Sequence, residues 1–218
     1  MLDRRAKRIV WAFLLGVIVA EGLAIFLSFH AKADPFAALM RFTLAVPGTP
    51  AAWALAALVT VLYVAFTAAG SAVLRTHLLR PSRWRPYAAM VAAVVPMALI
   101  SGFFEEAFFR KTLMDIAQHR GAAIGMQIAV SALAFGAVHA VWGAMGGSLR
   151  GALGAMLTTA ALGAALAAVY VAGGRSIAPC IAAHIAINLL IEPWLIITAA
   201  SGSWTRSRPA LPPIRATP

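Results

Sequence analysis

Long apolar runs separated by short polar segments make up most of the chain. Six of these runs, at about 9–29, 51–73, 87–109, 123–145, 151–172 and 177–199, approach the roughly 20 residues that a helix needs to cross a bilayer. The segments between them carry proline and charged residues, as connecting loops do. The pattern therefore predicts an all-α fold: a polytopic transmembrane helical bundle with about six spans.

The pattern also divides the chain into three parts. Residues 1–86 hold two spans and basic loops, and residues 87–199 hold four spans that carry the polar insertions considered below. Residues 200–218 form a basic, proline-rich tail that we expect to be disordered. The first apolar run continues to about Phe29 and exceeds the roughly 7–15 residues of a signal-peptide core, which favours an uncleaved anchor helix.

Composition narrows the class of partner. The 218 residues are 62% hydrophobic and 11% charged, with a formal net charge of +11. In a soluble protein this charge would suggest nucleic-acid binding, but here the basic residues flank apolar runs, where they act as topology signals and contact lipid headgroups. We therefore expect a lipid bilayer, and no nucleic acid, as the partner.

Basic residues are distributed unequally between the two sides of the bundle. With the N-terminus inside, twelve of the 18 lysines and arginines fall in inner segments, which favours cytoplasmic termini; the six outer ones are Lys32, Arg41, Arg110, Lys111, Arg120 and Arg175. The high alanine, arginine and glycine content and the short loops are typical of a bacterial inner-membrane protein. On this count the polar site would lie near the outer end of its spans and open outward.

The fifth run, at 151–172, is dense in glycine and alanine. Small residues let transmembrane helices approach closely, so this run is interpreted as a packing helix. No internal repeat is evident in the sequence, which weakens the case for a transporter built from inverted repeats.

Three apolar runs contain ionisable or amide side chains that lipid contact does not require. Glu105, Glu106 and Arg110 lie in the third run, His139 in the fourth, and the pair His184 and Asn188 in the sixth. A charged residue at membrane depth costs roughly 2.5–3.5 kcal/mol on insertion scales and usually marks a functional site.

The spacing of these residues predicts how they meet. Residues four apart share one helix face, and three pairs have this spacing: Glu106 with Arg110, Phe135 with His139, and His184 with Asn188. Faces from three different spans can surround one buried polar cavity, in which Phe135 is interpreted as packing.

The residue types indicate activation of water. Arg110 would keep Glu106 ionised and oriented, which leaves Glu105 free to take a proton from water with a neighbouring imidazole. His184 and Asn188 can donate hydrogen bonds to the oxyanion that forms when water attacks an amide carbonyl. Together these features predict peptide hydrolysis inside a membrane.

The ordered set Glu105-Glu106-x-x-x-Arg110, Phe135-x-x-x-His139 and His184-x-x-x-Asn188 resembles the CPBP family, the CAAX prenyl protease and bacteriocin-processing family, also called Abi. The resemblance covers roughly residues 87–199. It implies an all-helical intramembrane endopeptidase in which Glu105 activates water with help from His139, while His184 and Asn188 hold the oxyanion. It also implies a membrane-anchored peptide or protein as substrate. We expect no cofactor, with zinc as the alternative considered below.

Several alternatives stay open on the sequence alone. The acidic pair with Arg110 could be a structural ion pair, and the histidines and Asn188 could only join helices. Glu105, His139 and His184 match the ligand set of a catalytic zinc site. Cys180, one turn before His184, could form a nucleophilic Cys-His pair.

Two further classes of protein compete with the protease. The buried carboxylates and histidines could form the proton relay of a transporter, and a non-catalytic bacteriocin-immunity protein could retain the same fold. Glu192 continues the stripe of Cys180, His184 and Asn188 and could contact the cavity or lie at the inner interface, whereas Glu21 has no evident partner.

Overall fold

In the computed structural model, the described residues are 4–80, 85, 87–145 and 148–200; they are predominantly helical and contain no strand. The predicted all-α fold is confirmed. Six helical segments of the described chain are long and apolar enough to cross a membrane: Arg4–Phe29, Pro50–Gly70, Ala88–His119, Ile124–Gly143, Leu149–Ala172 and Ala178–Thr198. Residues 201–218, most of the tail expected to be disordered, lie outside the described residues.

The helices follow one another in a simple order: α1 (Arg4–Phe29), α2 (Pro35–Leu44), α3 (Pro50–Gly70), α4 (Ala72–Leu79), α5 (Ala88–Glu106), a π-helical segment (Ala107–Met114), α6 (Asp115–His119), α7 (Ile124–Val138), α8 (Val141–Met145), α9 (Leu149–Ala172) and α10 (Ala178–Ala200). α5, the π-helical segment and α6 form one continuous span. This span ends ten residues later than the predicted boundary at 109, because charged residues from Arg110 onward are held by partners on neighbouring helices.

Helix starts are specified locally by capping side chains. An oxygen of the residue before the helix accepts a hydrogen bond from a backbone N–H in the first turn. The donor–acceptor distances are 2.9–3.2 Å for the caps Asp34, Thr49, Ser71 and Ser148. Pro35 and Pro50 then occupy the first helical position, where the missing N–H costs nothing.

α10 is the central helix of the bundle. In its most apolar stretch 61% of the residues are buried, against 11% for α1, which lies at the periphery. α10 packs against α5 and α3, α1 packs on α5, and α7 packs against α9. Gly102 allows the close approach of α5 and α10, since a Cβ there would lie 2.5 Å from a side-chain carbon of Ile185. Consequently α10 brings His184 directly beside the acidic pair at the end of α5.

The predicted packing role of the fifth run is confirmed by the α7–α9 contact. A Cβ on Gly136 of α7 would lie 2.5 Å from the carbonyl oxygen of Met156, and one on Gly163 of α9 would lie 3.2 Å from Phe135. Each helix therefore uses a glycine at the point where the other approaches, as expected where lipid supplies no hydrophobic drive for association.

We expect Gly136→Ala to destabilise the bundle by about 1–3 kcal/mol, the usual cost of overpacking, because the added methyl meets the backbone of α9. Gly125→Ala on the same helix is the matched control, since nothing lies within 4 Å of its Cβ position. Denaturant unfolding in detergent, followed by circular dichroism, compares the two. Equal stability of both variants would contradict the close α7–α9 contact.

Candidate active site

A buried network of charged groups joins α5, the π-helical segment and α10. Arg110 Nε lies 2.9 Å from Glu106 Oε2, and its Nη2 donates to Glu106 Oε1 at 3.2 Å. His184 Nδ1 lies 2.8 Å from the same Oε1. The predicted pairing of Glu106 with Arg110 is confirmed. In addition, Glu106 positions His184, a contact between helices that residue spacing alone did not indicate.

This network defines the hydrogen-bonding role of His184. A carboxylate paired with an arginine only accepts hydrogen bonds, so Nδ1 of His184 is the donor to Glu106. Only Nε2 is then available to another group. Nε2 can donate to a substrate oxygen when the ring is the imidazolium.

The π-helical segment holds Arg110 in place. Thr112 Oγ1 donates to the carbonyl of Ala107, five residues earlier, at 3.1 Å. Arg110 Nη1 donates to Ser131 Oγ on α7 at 3.0 Å, and Ser131 Oγ donates at 3.1 Å to the carbonyl of Phe109. π-helical turns occur often at functional sites. Here the segment directs Arg110 into the bundle interior, where it is fully buried.

Ser131 is a site residue that the sequence analysis missed. It is fully buried and precedes Phe135 and His139 at four-residue intervals. The stripe Ser131, Phe135, His139 on one helix face was the signal that could have found it.

Phe135 lies at the centre of the constellation. Its ring is fully buried, with centroid distances of 4.5 Å to His139 and 5.5 Å to His184. The guanidinium carbon of Arg110 lies 4.9 Å from the ring centroid. The expected packing role is therefore supplemented by a cation–π contact with Arg110.

Glu105 and His139 face each other across a short gap. Glu105 Oε2 lies 3.7 Å from His139 Nε2, too far for a direct hydrogen bond. Oε2 is buried and has no hydrogen-bond partner among the described residues. His139 Nδ1 lies 2.7 Å from the carbonyl oxygen of Phe135, which can only accept. In the neutral ring, Nε2 therefore presents its lone pair to Glu105. Two acceptors at this separation suit a water molecule that donates one hydrogen to each.

A small cavity joins the two imidazoles to the amide. It has a volume of about 30 Å³ and its polar lining residues include His139, His184, Asn188 and Glu192, and it is of the size that one water molecule occupies. His184 and Asn188, the third predicted pair, thus lie beside Phe135 and His139, the second pair. Of the two positions considered for Glu192, the structure shows the one at the cavity, with Glu192 Oε2 buried and without a hydrogen-bond partner in the described chain.

The depth of the site differs from the expected position. Glu105 lies near the middle of the span Ala88–His119, not near its outer end. It precedes Asp115 by ten residues, and His139 lies about 18 Å from Gln127 along α7 at the α-helical rise per residue. Both Asp115 and Gln127 are bound by Arg175, with distances of 2.7–3.2 Å. We call this end of the bundle the Arg175 end.

Arg110 was counted among the outer charges in the sequence analysis, and that assignment was wrong. It is fully buried within the bundle and paired with Glu106. The burial of this charge removes it from the comparison of inner and outer segments. The remaining outer charges still number fewer than the twelve inner ones.

Cys180 does not face His184 as a nucleophile would. Its thiol is fully buried and donates to the carbonyl of Leu166 at 3.4 Å, while His184 Nδ1 is bound to Glu106. The thiol therefore serves packing between α9 and α10.

The donor set considered for zinc is not assembled in this conformation. Within the described part of the chain, no group of three or more His, Cys, Asp or Glu side chains is placed to hold a metal ion. Glu105 and His139 face each other, whereas His184 Nδ1 is directed to Glu106. Three ligands on one ion would require a rearrangement of at least one of these side chains.

Glu21 extends the group of carboxylates beyond the sequence motifs. It lies on α1 beside Ser101, and Glu105 and His184 are close enough to interact with it electrostatically. One of its carboxylate oxygens is buried without a hydrogen-bond partner in the described residues. The peripheral first span therefore reaches the site, which the sequence pattern did not indicate.

Comparison with known proteins adds one match. Residues 86–190 match the model of a family described as type II CAAX prenyl endopeptidase Rce1-like. All six predicted site residues lie within the matched range. No curated protein and no solved structure matches the chain.

Proposed function

The chain belongs, through residues 86–190, to the Rce1-like type II CAAX prenyl endopeptidases of the CPBP family, and from this premise we propose that it hydrolyses a peptide bond with water activated by Glu105 and His139. The family supports an intramembrane protease of the CAAX type. The observation that carries the proposal is the 3.7 Å separation of Glu105 Oε2 from His139 Nε2, between two groups that both accept hydrogen bonds.

The proposed first step places water between these two groups. The water oxygen bonds to the carbonyl carbon of the substrate while one of its protons passes to Glu105. His139 accepts the second hydrogen and orients the water, because its Nδ1 is held by the carbonyl of Phe135. Glu105 then gives its proton to the leaving amine as the carbon–nitrogen bond breaks.

Two donors are placed to stabilise the oxyanion. His184 donates from Nε2 when its ring is charged, since Glu106 accepts from Nδ1 at 2.8 Å. Asn188, one turn further along α10, supplies its amide group in the same cavity. Removing one donor to an oxyanion typically reduces the rate by about 10² to 10³. Arg110 acts through Glu106 and is a positioning residue.

We further propose a membrane-anchored peptide as substrate, cleaved near a membrane-embedded or lipid-anchored segment. Removal of a C-terminal sorting or anchor segment from an exported protein fits a site surrounded by apolar spans. No cofactor is part of this proposal. The alanine, arginine and glycine content and the short loops support a bacterial inner membrane, and the charge distribution supports cytoplasmic termini.

The test is cleavage of a fluorogenic peptide with an apolar membrane anchor by the purified chain, with and without a strong zinc chelator. We expect cleavage that survives chelation. Loss of cleavage on chelation with rescue by zinc would replace the water-activation proposal by the zinc alternative. Proton flux into proteoliposomes without cleavage of any anchored peptide would favour a transporter and overturn the proposal.

A further inference from the structure

A groove between α3 and α9 opens on the side of the bundle. Its volume is about 540 Å³, and we call it the α3–α9 groove. Its lining includes Tyr63, Phe66, Gly70, Arg150, Gly154 and Thr159. An apolar extension of about 450 Å³ continues along the same two helices. Together these volumes match those of sites that bind ligands.

The groove adjoins the catalytic cavity. Tyr63, Trp142, Thr159 and Leu195 line both. Tyr63 also lines the apolar extension, so its ring stands where the three spaces meet. A segment that lies in the groove would reach the polar groups of the cavity by passing Tyr63.

The walls of the groove favour a peptide over a lipid tail. Gly70, Gly151 and Gly154 line it, and small residues let a second backbone approach closely. The spaces above Gly70 and Gly154 are open, with nothing within 4 Å of either Cβ position. The adjoining cavity offers imidazole and amide groups that a peptide bond can engage and an acyl chain cannot.

One end of the groove carries a positive charge. Arg150 lines it beside Ser148, in the first turn of α9, and a helix N-terminus also favours negative charge. This end, the Arg150 end, is opposite to the Arg175 end of the bundle. Charge complementarity therefore predicts an acidic group on the bound segment at this position.

We propose that the α3–α9 groove docks the apolar segment of a membrane-embedded peptide substrate, whose acidic residue pairs with Arg150 and whose chain runs past Tyr63 toward the polar groups of the cavity. The role as a substrate path rests on the proposed function. It places access at the Arg150 end, opposite to the outward opening that the sequence suggested. Arg150 and Thr159 are nine residues apart, about 13.5 Å along α9. An extended peptide covers this length with about four residues.

The first experiment measures docking without catalysis. In a Glu105→Gln background, a photoreactive benzoylphenylalanine replaces Phe66 in the groove or, as control, Leu133 on α7; the two native side chains are 63% and 67% exposed. The probe is a synthetic leucine–alanine helix of about 20 residues with an aspartate or a lysine at one end. We expect crosslinking at position 66 to exceed that at 133 and to favour the aspartate peptide. Arg150→Glu should reverse this preference.

Filling the groove supplies the second test. Gly154→Leu is expected to reduce crosslinking at position 66, and to raise the KM for cleavage, by about tenfold. Gly16→Leu on α1 is the matched control, because its Cβ position is equally open and lies outside the groove. If Gly154→Leu fails to fold, Gly70→Leu fills the groove from α3.

The outcomes separate the two proposals. Equal crosslinking at 66 and 133 that is unchanged by Gly154→Leu would overturn docking in the groove, even where cleavage is intact. Equal crosslinking of the aspartate and the lysine peptide would overturn the role of Arg150. Specific crosslinking by a wild-type chain that cleaves nothing would overturn the protease and leave a docking groove.

Discussion

Replacement of Glu105 by glutamine is expected to lower the rate of peptide cleavage by about 10² to 10⁴, the usual contribution of a general base. Glutamine keeps the size of the side chain but cannot take a proton from water. The contact with His139, at 3.7 Å, is not a direct hydrogen bond, so its loss should leave the fold intact. The rate is measured with the anchored fluorogenic peptide, and folding by circular dichroism.

Glu21→Gln is the matched control for this variant. Glu21 also has a buried carboxylate oxygen without a hydrogen-bond partner in the described chain, and it lies near Glu105. Among the described residues it forms no ion pair with His139, whereas Glu105 does, so cleavage should stay within a few-fold of wild type. A Glu105→Gln variant as active as Glu21→Gln would remove Glu105 from the reaction.

Replacement of Arg110 by methionine is expected to destabilise the bundle by about 3–5 kcal/mol, the usual cost of removing one partner of a buried ion pair. Arg110 and Glu106 are both fully buried, so the carboxylate would lose its cation without gaining water. The bond to Ser131 is lost as well. Denaturant unfolding in detergent, followed by circular dichroism, measures the effect.

Two further variants test whether the loss of stability comes from the buried charge. Lys111→Met removes the adjacent cation, which lies 5.8 Å from the ring of Phe42, and should cost about 1 kcal/mol or less. Adding Glu106→Gln to Arg110→Met removes the uncompensated charge and should recover part of the stability. If Arg110→Met costs no more than Lys111→Met, the buried network does not support the fold.

The spans and the three pairs of site residues could be predicted because both depend on spacing within one helix. Apolar length predicted the six spans, and four-residue spacing predicted that Glu106 meets Arg110, since both are properties of a single segment. The same spacing also shows which face of a helix carries the polar groups. Neither feature requires knowledge of how neighbouring helices are rotated.

Contacts between helices could not be predicted in the same way. The bond from His184 to Glu106 and the bond from Arg110 to Ser131 depend on the depth and rotation of α7 and α10 against α5. The end of the third span was missed for a related reason. Charge at Arg110 usually indicates a loop, but here partners on other helices satisfy it inside the bundle.

The π-helical segment also connects two distant groups of contacts. It separates Glu106, bound to His184, from Asp115, which binds Arg175 at 2.7 Å. Loss of one residue from Ala107–Met114 would rotate and shift the following chain relative to α5, so we expect that both contacts could not form together in the same geometry. The number of residues in this segment is therefore constrained by contacts at both of its ends. Among the spans, it is the stretch in which we expect single-residue insertions and deletions to be tolerated least.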